Sequence, residues 1–349
     1  MSARRIDYRV AREGQPEALV RAAARVADQL AGLSGGALDT TGAGPLFLGM
    51  GASYAAAALP VRLLAAAGLP ARREIASEVV PGGVGSARAV VGISQSGRSP
   101  ETIAAVSAWP AERRWSLTNV AGSALAEVAG PRAVDLGSEP DSYASTIGYT
   151  GTLIGLTMLA RATSGASVDA AHTEWHGIST AVRHLEEEAA PVIAAVADLA
   201  THPASGTPAI AADVVASGAS RAASESGALL LREVCRIPSS AVVTRNYLHG
   251  EMESAGGTLH VVLGADREVR LARSLAAAGH PTLLLTSADV AAEGPLHVVR
   301  LPEATEPVRV VLETVLLQAL AGTLADLRGV AIEDFVFEHD DTKVSEPVG

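Results

Sequence analysis

The fold is legible first in Val90-Val91-Gly92-Ile93-Ser94-Gln95-Ser96-Gly97-Arg98-Ser99-Pro100-Glu101-Thr102. Its apolar start, preceded by Ala89, reads as a short strand buried in a parallel sheet. From Thr102 through Val106 the pattern becomes that of a helix. A strand that ends in hydroxyl and amide side chains around a glycine and then opens a helix is suited to an anion. Free N–H groups and the helix dipole both favour negative charge there. Ser94, Gln95, Ser96 and Ser99 add side-chain donors, and Gly97 lets the backbone approach a ligand closely. The same serines would also serve as plain helix caps. No Gly-Lys-Ser/Thr follows, so this is not a nucleoside-triphosphate loop of the Walker type. A phosphate monoester fits better.

The 349 residues suffice for two domains, and 48% apolar against 19% charged residues supports well-buried cores. Aromatic residues make up only 3%, which suits Ala- and Val-rich layers and disfavours a base-stacking surface. A net charge of −11 without a basic run argues against nucleic acid and anionic membrane as partners. An anionic substrate is therefore expected to rely on local dipoles and donors. The single cysteine, Cys235, excludes an internal disulfide and a cysteine metal cluster. His172 and His176 share a helix face, but no third ligand is near in sequence, so neither a metal nor a cofactor is expected. The start of the chain lacks an apolar signal core, and no apolar run of membrane-spanning length follows, which makes the cytoplasm the expected compartment.

Short apolar strands alternate with helical segments, the pattern of open parallel α/β sheets. Strands are predicted near 45–49, 73–76, 88–93, 114–117 and 133–136, then near 209–216, 241–244, 259–263, 281–285 and 296–300. Helices are predicted near 14–32, 53–67, 101–108, 122–128 and 147–163, and later near 221–235, 267–278 and 307–327, with one long helical connector over 172–199. The halves repeat: Gly51-Ala52-Ser53 recurs as Gly218-Ala219-Ser220, an offset of 167. Val90-Val91 recurs near Val261-Val262, and Leu117-Thr118 matches Leu285-Thr286. On the 167 offset, Ser94 to Ser99 fall opposite Val261 to Asp266, so only the first copy carries the serine loop. The expected architecture is α/β: two doubly wound, flavodoxin-like αβα domains with parallel five-stranded sheets. The first spans 1–170, the helical connector 171–200 and the second domain with its tail 201–349.

Gly51-Ala52-Ser53, the Ser94–Ser99 loop and Asn119-Val120-Ala121-Gly122-Ser123-Ala124-Leu125 together resemble the sugar isomerase (SIS) family. The likeness is to the two-domain isomerase half of glucosamine-6-phosphate synthase and to its stand-alone deaminase and deglycase relatives. It runs from about residue 40 to the end of the chain. It implies that Ser53, Ser94, Gln95, Ser96 and Ser99 hold a sugar phosphate. Gly227-Ala228-Leu229-Leu230-Leu231-Arg232-Glu233 is similar to the family's catalytic helix, and by that similarity Glu233 moves a proton between C1 and C2 of an open-chain sugar. His249-Gly250, sixteen residues on, resembles the family's His-Gly, whose histidine assists ring opening across a homodimer interface. Asp341-Thr342-Lys343-Val344 is similar to the C-terminal lid, with Lys343 reaching the sugar.

A partly buried carboxylate suits a base, and histidine exchanges protons near neutrality. The chain also departs from the pattern. Ile147 and Leu230 stand where the family has lysines, which questions strict aldose–ketose isomerisation, and Glu251 replaces a proline, with Glu253 close by. The glutaminase domain is absent, so glutamine is not the expected nitrogen donor. The resemblance implies a cofactor-independent enzyme on a hexose or amino-sugar 6-phosphate, isomerising it or releasing an amine. The alternative is a non-catalytic sugar-phosphate sensor.

Overall fold

The computed structural model describes residues 4–33, 37–80, 87–203, 208–334, 336–337 and 341–344. They form two compact units, one within 1–179 and 336–349, the other within 180–335. The described tail residues 336–337 and 341–344 group with the first unit, whereas the sequence reading places them in a second domain over 201–349.

The first unit opens with α1 (Tyr8–Gly32), then β1 (Leu46–Gly49), α2 (Gly51–Ala56), α3 (Ala58–Ala66), β2 (Arg72–Ile75) and β3 (Val90–Ser94). It continues through α4 (Pro100–Ser107), β4 (Arg114–Thr118), α5 (Ala124–Ala129), β5 (Ala133–Asp135), α6 (Ile147–Thr163) and α7 (Val168–Thr173). Its five strands run in parallel in the order β2-β1-β3-β4-β5. Parallel neighbours need crossovers, and right-handed crossovers in this order put helices on both faces. That is why every residue of β1 and β3 is buried. Leu46, Leu48 and Val90 pack with Val106 of α4 and Leu125 of α5 in one cluster. Each such side chain contributes about 1.5–3 kcal/mol when fully buried.

α8 (Ile178–Thr201) leads to β6 (Ala211–Ala216), α9 (Arg221–Cys235), β7 (Ser239–Val243) and α10 (Thr244–Tyr247). Then come β8 (Thr258–Leu263), α11 (Arg267–Ala277), β9 (Thr282–Thr286), β10 (Leu296–Arg300) and α12 (Glu306–Leu327). The second sheet is again parallel, in the order β10-β9-β8-β6-β7, the same winding as the first. α12 is long and apolar enough to cross a membrane, but 83% of its apolar window is buried, as in a core helix.

Two expectations change in detail. The connector is not one helix: α7 ends at Thr173 and α8 starts at Ile178. Between them, Glu174 takes two hydrogen bonds from Arg161 (3.1 and 2.8 Å) and Trp175 is buried, which turns the chain. The register also shifts the repeat. Leu48 pairs with Gly92 in the first sheet, and its counterpart Val215 pairs with Val262 in the second. Ser94 therefore corresponds to Gly264, three residues beyond Val261. A constant offset failed because the segment between the first and third strands differs in length between the copies. Leu117-Thr118 and Leu285-Thr286 do fall at matching positions, through Gly92↔Ser116 and Val262↔Leu284.

Candidate active site

The order in which strands are added to the first sheet reverses between β1 and β3, the place where open α/β sheets bind ligands. Ser53 lies in the first turn after β1, partly buried. Ser94 ends β3, and its Oγ lies 3.1 Å from Oγ of Ser99, both residues being buried. Ser99 is the N-cap residue of α4, yet its side chain makes no cap hydrogen bond. The plain capping role for Ser99 is thus not what the chain uses. Ser96 Oγ accepts from the N–H of Arg98 at 3.3 Å. Gly97 sits at φ +63°, and a Cβ there would lie 2.0 Å from Ser123 Oγ, so both backbone and space demand glycine.

Gln95 differs from the sequence expectation. Its side-chain amide donates one N–H to Asp141, so the side chain is held from behind and keeps its second N–H. Sequence reading also missed two hydroxyls. Ser123 Oγ, against Gly97, and Thr102 Oγ1, in the first turn of α4, are buried without a partner among the described residues. The Asn119–Leu125 resemblance included Ser123, but only the packing against Gly97 connects it to the loop.

The tail returns to this loop. Val344 N–H donates to Arg98 O at 2.9 Å, and Arg98 Nε donates to Val344 O at 2.8 Å. Lys343 stays exposed, while surrounding protein lowers its pKa by displacing water; Glu101 opposes this, and Arg98 and Arg5 add to it. Arg98 and Lys343 therefore bring positive charge, and Glu101 negative charge, to one end of the serine loop, with Arg5 close enough to act on Lys343. Dipoles and neutral donors are not its whole electrostatic supply. No local run could have revealed this.

In the second unit, Glu233 lies near the end of α9, and burial pushes its pKa up to about 7. His249 follows α10 and is exposed; its N–H donates to Asn246 O at 2.9 Å. The segment is anchored two residues earlier by fully buried Tyr247. Tyr247 Oη donates to Asp213 Oδ2 at 2.9 Å and lies 3.1 Å from His260 Nδ1. Burial holds His260 down at about 4, and nearby His280 adds to this against the Ala255 carbonyl. Burial raises Asp213, opposed by the Tyr247 hydrogen bond and helped by Glu251. No hydrogen bond or ion pair joins Glu233 to His249 among the described residues. Glu251 and Glu253 are exposed. Leu230 and Ile147 are only 4% and 3% exposed, so both are core positions here.

The second copy closes its own Gly-x-Ser turn. Ser220, the counterpart of Ser53, donates to Glu313 Oε1 at 2.9 Å. Glu313 is fully buried on α12, and that burial raises its pKa to about 7 against the Ser220 hydrogen bond and Arg309. An internal carboxylate occupies the place an external anion would need. No group of three metal-ligating side chains occurs among the described residues.

No family model matches the chain, and no curated protein matches it. Solved structures do. The C-terminal domain of glucosamine-fructose-6-phosphate aminotransferase from Francisella tularensis superposes with a TM-score of 0.74 at 19% identity, covering 93% of this chain and 97% of that one. The chain carries a tandem SIS fold. Tagatose-6-phosphate ketose/aldose isomerase from Escherichia coli has the same tandem fold, with a TM-score of 0.70 at 15% identity over 95% and 97% of the two chains. Glucosamine-6-phosphate deaminase from Thermotoga maritima gives 0.67 at 18% identity over 92% and 96%. In the tandem SIS fold of this chain, the serine loop lies at the switch point of one unit and Glu233 on a helix of the other.

Proposed function

We propose that this chain is a cofactor-independent cytoplasmic enzyme acting on a hexose or amino-sugar 6-phosphate. The observation that carries the reading is the tandem SIS fold with a partly buried carboxyl, Glu233, near the end of α9, and burial raises its pKa to about 7. A carboxyl balanced near neutrality is suited both to take and to return a proton. Ser53, Ser94, Ser96, Ser99 and the backbone at Gln95 hold the phosphate, and Lys343 covers the sugar from the tail. His249 assists ring opening, supplied by the second subunit of a homodimer. Glu233 as carboxylate removes the proton at C2 of the open-chain aldose and gives an enediolate at O1. Moving a proton from O2 to O1 and returning the first proton to C1 yields the ketose. With an amine at C2, the same proton shift gives the C2 imine, which water hydrolyses to the ketose and ammonia.

The core positions of Leu230 and Ile147 support a second reading, a sugar-phosphate sensor without turnover. Both readings require the phosphate site. A neutral donor to a charged phosphate contributes about 1.5–3 kcal/mol. Ser96→Ala with Ser99→Ala is expected to weaken glucose 6-phosphate and glucosamine 6-phosphate at least tenfold by calorimetry. Any binding of the unphosphorylated sugars is expected to be unchanged. Equal loss for both ligand types would contradict the assignment.

A further inference from the structure

Asp141 precedes α6, is 4% exposed, and has donors converging on both carboxylate oxygens. Oδ1 accepts the N–H groups of Ser142 (2.9 Å), Thr146 (3.0 Å) and Ile147 (3.1 Å), and the Thr146 hydroxyl (2.8 Å). Oδ2 accepts the N–H of Gly148 and the Ser145 hydroxyl, both at 2.8 Å. These six donors come from residues 142–148 and close the N-terminus of the 17-residue helix α6. A long helix N-terminus is ordinarily attractive to an external anion. Here the chain's own carboxylate fills it.

The seventh donor is of another kind. Gln95 Nε2, 46 residues away in sequence, also donates to Oδ2. The approach is tight enough that a Cβ on Gly148 would lie 2.4 Å from Gln95 Nε2 and 2.8 Å from Asp141 Oδ2. The other end of Gln95 is held as well, since its carbonyl accepts the N–H of Asn119 at 2.9 Å. Gln95 stands between Ser94 and Ser96 at the end of β3. An ionised carboxylate only accepts, and its hydrogen bonds are roughly twice as strong as neutral ones. A charged anchor thus grips the centre of the serine loop from behind.

We propose that Asp141 is a positioning residue that sets the serine loop for phosphate through the side chain of Gln95. The proposal rests on the reading of that loop as a phosphate site. It makes the Asp141 effect on phosphate depend on Gln95, whereas its effect on α6 does not.

The test compares wild type, Asp141→Asn, Gln95→Leu and the double variant. It measures glucose 6-phosphate affinity by calorimetry and amide hydrogen exchange over residues 94–99 by mass spectrometry. Asp141→Asn is expected to lower the melting temperature, speed loop exchange and weaken binding about tenfold or more. Gln95→Leu keeps the helix cap, so it is expected to reproduce the exchange and affinity changes with little change in melting temperature. In the Gln95→Leu background, Asp141→Asn is expected to cost no further affinity. An equal loss of affinity in both backgrounds would overturn the proposal, as would unchanged loop exchange in Gln95→Leu. If Asp141→Asn does not fold, Gln95→Leu alone decides through loop exchange. If wild type binds no sugar phosphate while Gln95→Leu still speeds loop exchange, the phosphate reading fails and the positioning of the loop stands.

Discussion

At the scale of single residues, the side chain with the clearest chemical consequence is Glu233. Its pKa rises from 4.5 to about 7 because burial disfavours its charged form. The folded state therefore keeps a proton that the unfolded chain has already lost between those values. The corresponding contribution to stability is fully present below about 4.5, falls as pH rises, and is gone above about 7. Glu233→Gln removes the ionisation. Its melting temperature is expected to exceed that of wild type at pH 8 by more than at pH 5, measured by scanning calorimetry. Glu313 has the same sign but is present in both proteins, so it cancels from the comparison. A gap that does not change with pH would contradict a carboxyl raised by partial burial. Where turnover occurs, its rate should climb through about pH 7 as Glu233 ionises.

Among the elements, the β3–α4 connection carries most of the candidate phosphate site and is the most legible. Apolar Val90-Val91 fixes a doubly covered strand, and the change of period after Pro100 fixes the helix start. The role of Gly97 becomes specific only in three dimensions, where its positive φ and the contact with Ser123 combine. Gly97→Ala is expected to destabilise the protein by about 1–3 kcal/mol in urea denaturation, with phosphate affinity falling in parallel. An unchanged midpoint and affinity would show that the loop tolerates another backbone shape. What sequence could not show are the groups brought in from afar. Asp141 behind Gln95, and Arg5 and Arg98 beside Lys343, depend on how loops fold back and leave no periodic or local signal. The broken connector is similar, because Arg161–Glu174 and buried Trp175 are tertiary effects. The misplaced repeat register has another cause: strands of like composition align at several offsets, and hydrogen-bond pairing alone chooses among them.

Over the whole molecule, one winding occurs twice with different turns at its switch points. Both sheets run in the same order, yet the switch-point turn of the second is closed by Ser220 and Glu313, while the first keeps its hydroxyls around a glycine loop with no carboxylate bonded to Ser94 or Ser99 among the described residues. That asymmetry leaves the candidate phosphate loop in the first copy alone. The central claim is that Glu233 moves a proton on a sugar phosphate. It is tested most directly by incubating fructose 6-phosphate, glucose 6-phosphate and glucosamine 6-phosphate with the protein in deuterated water and following label at C1 and C2 by NMR. Wild type is expected to incorporate deuterium into at least one of them, and Glu233→Gln to slow that incorporation by about 10²–10⁴-fold. Incorporation that Glu233→Gln leaves unchanged would contradict the mechanism, and tight binding of these sugars with no incorporation at all would replace the enzyme by a sensor.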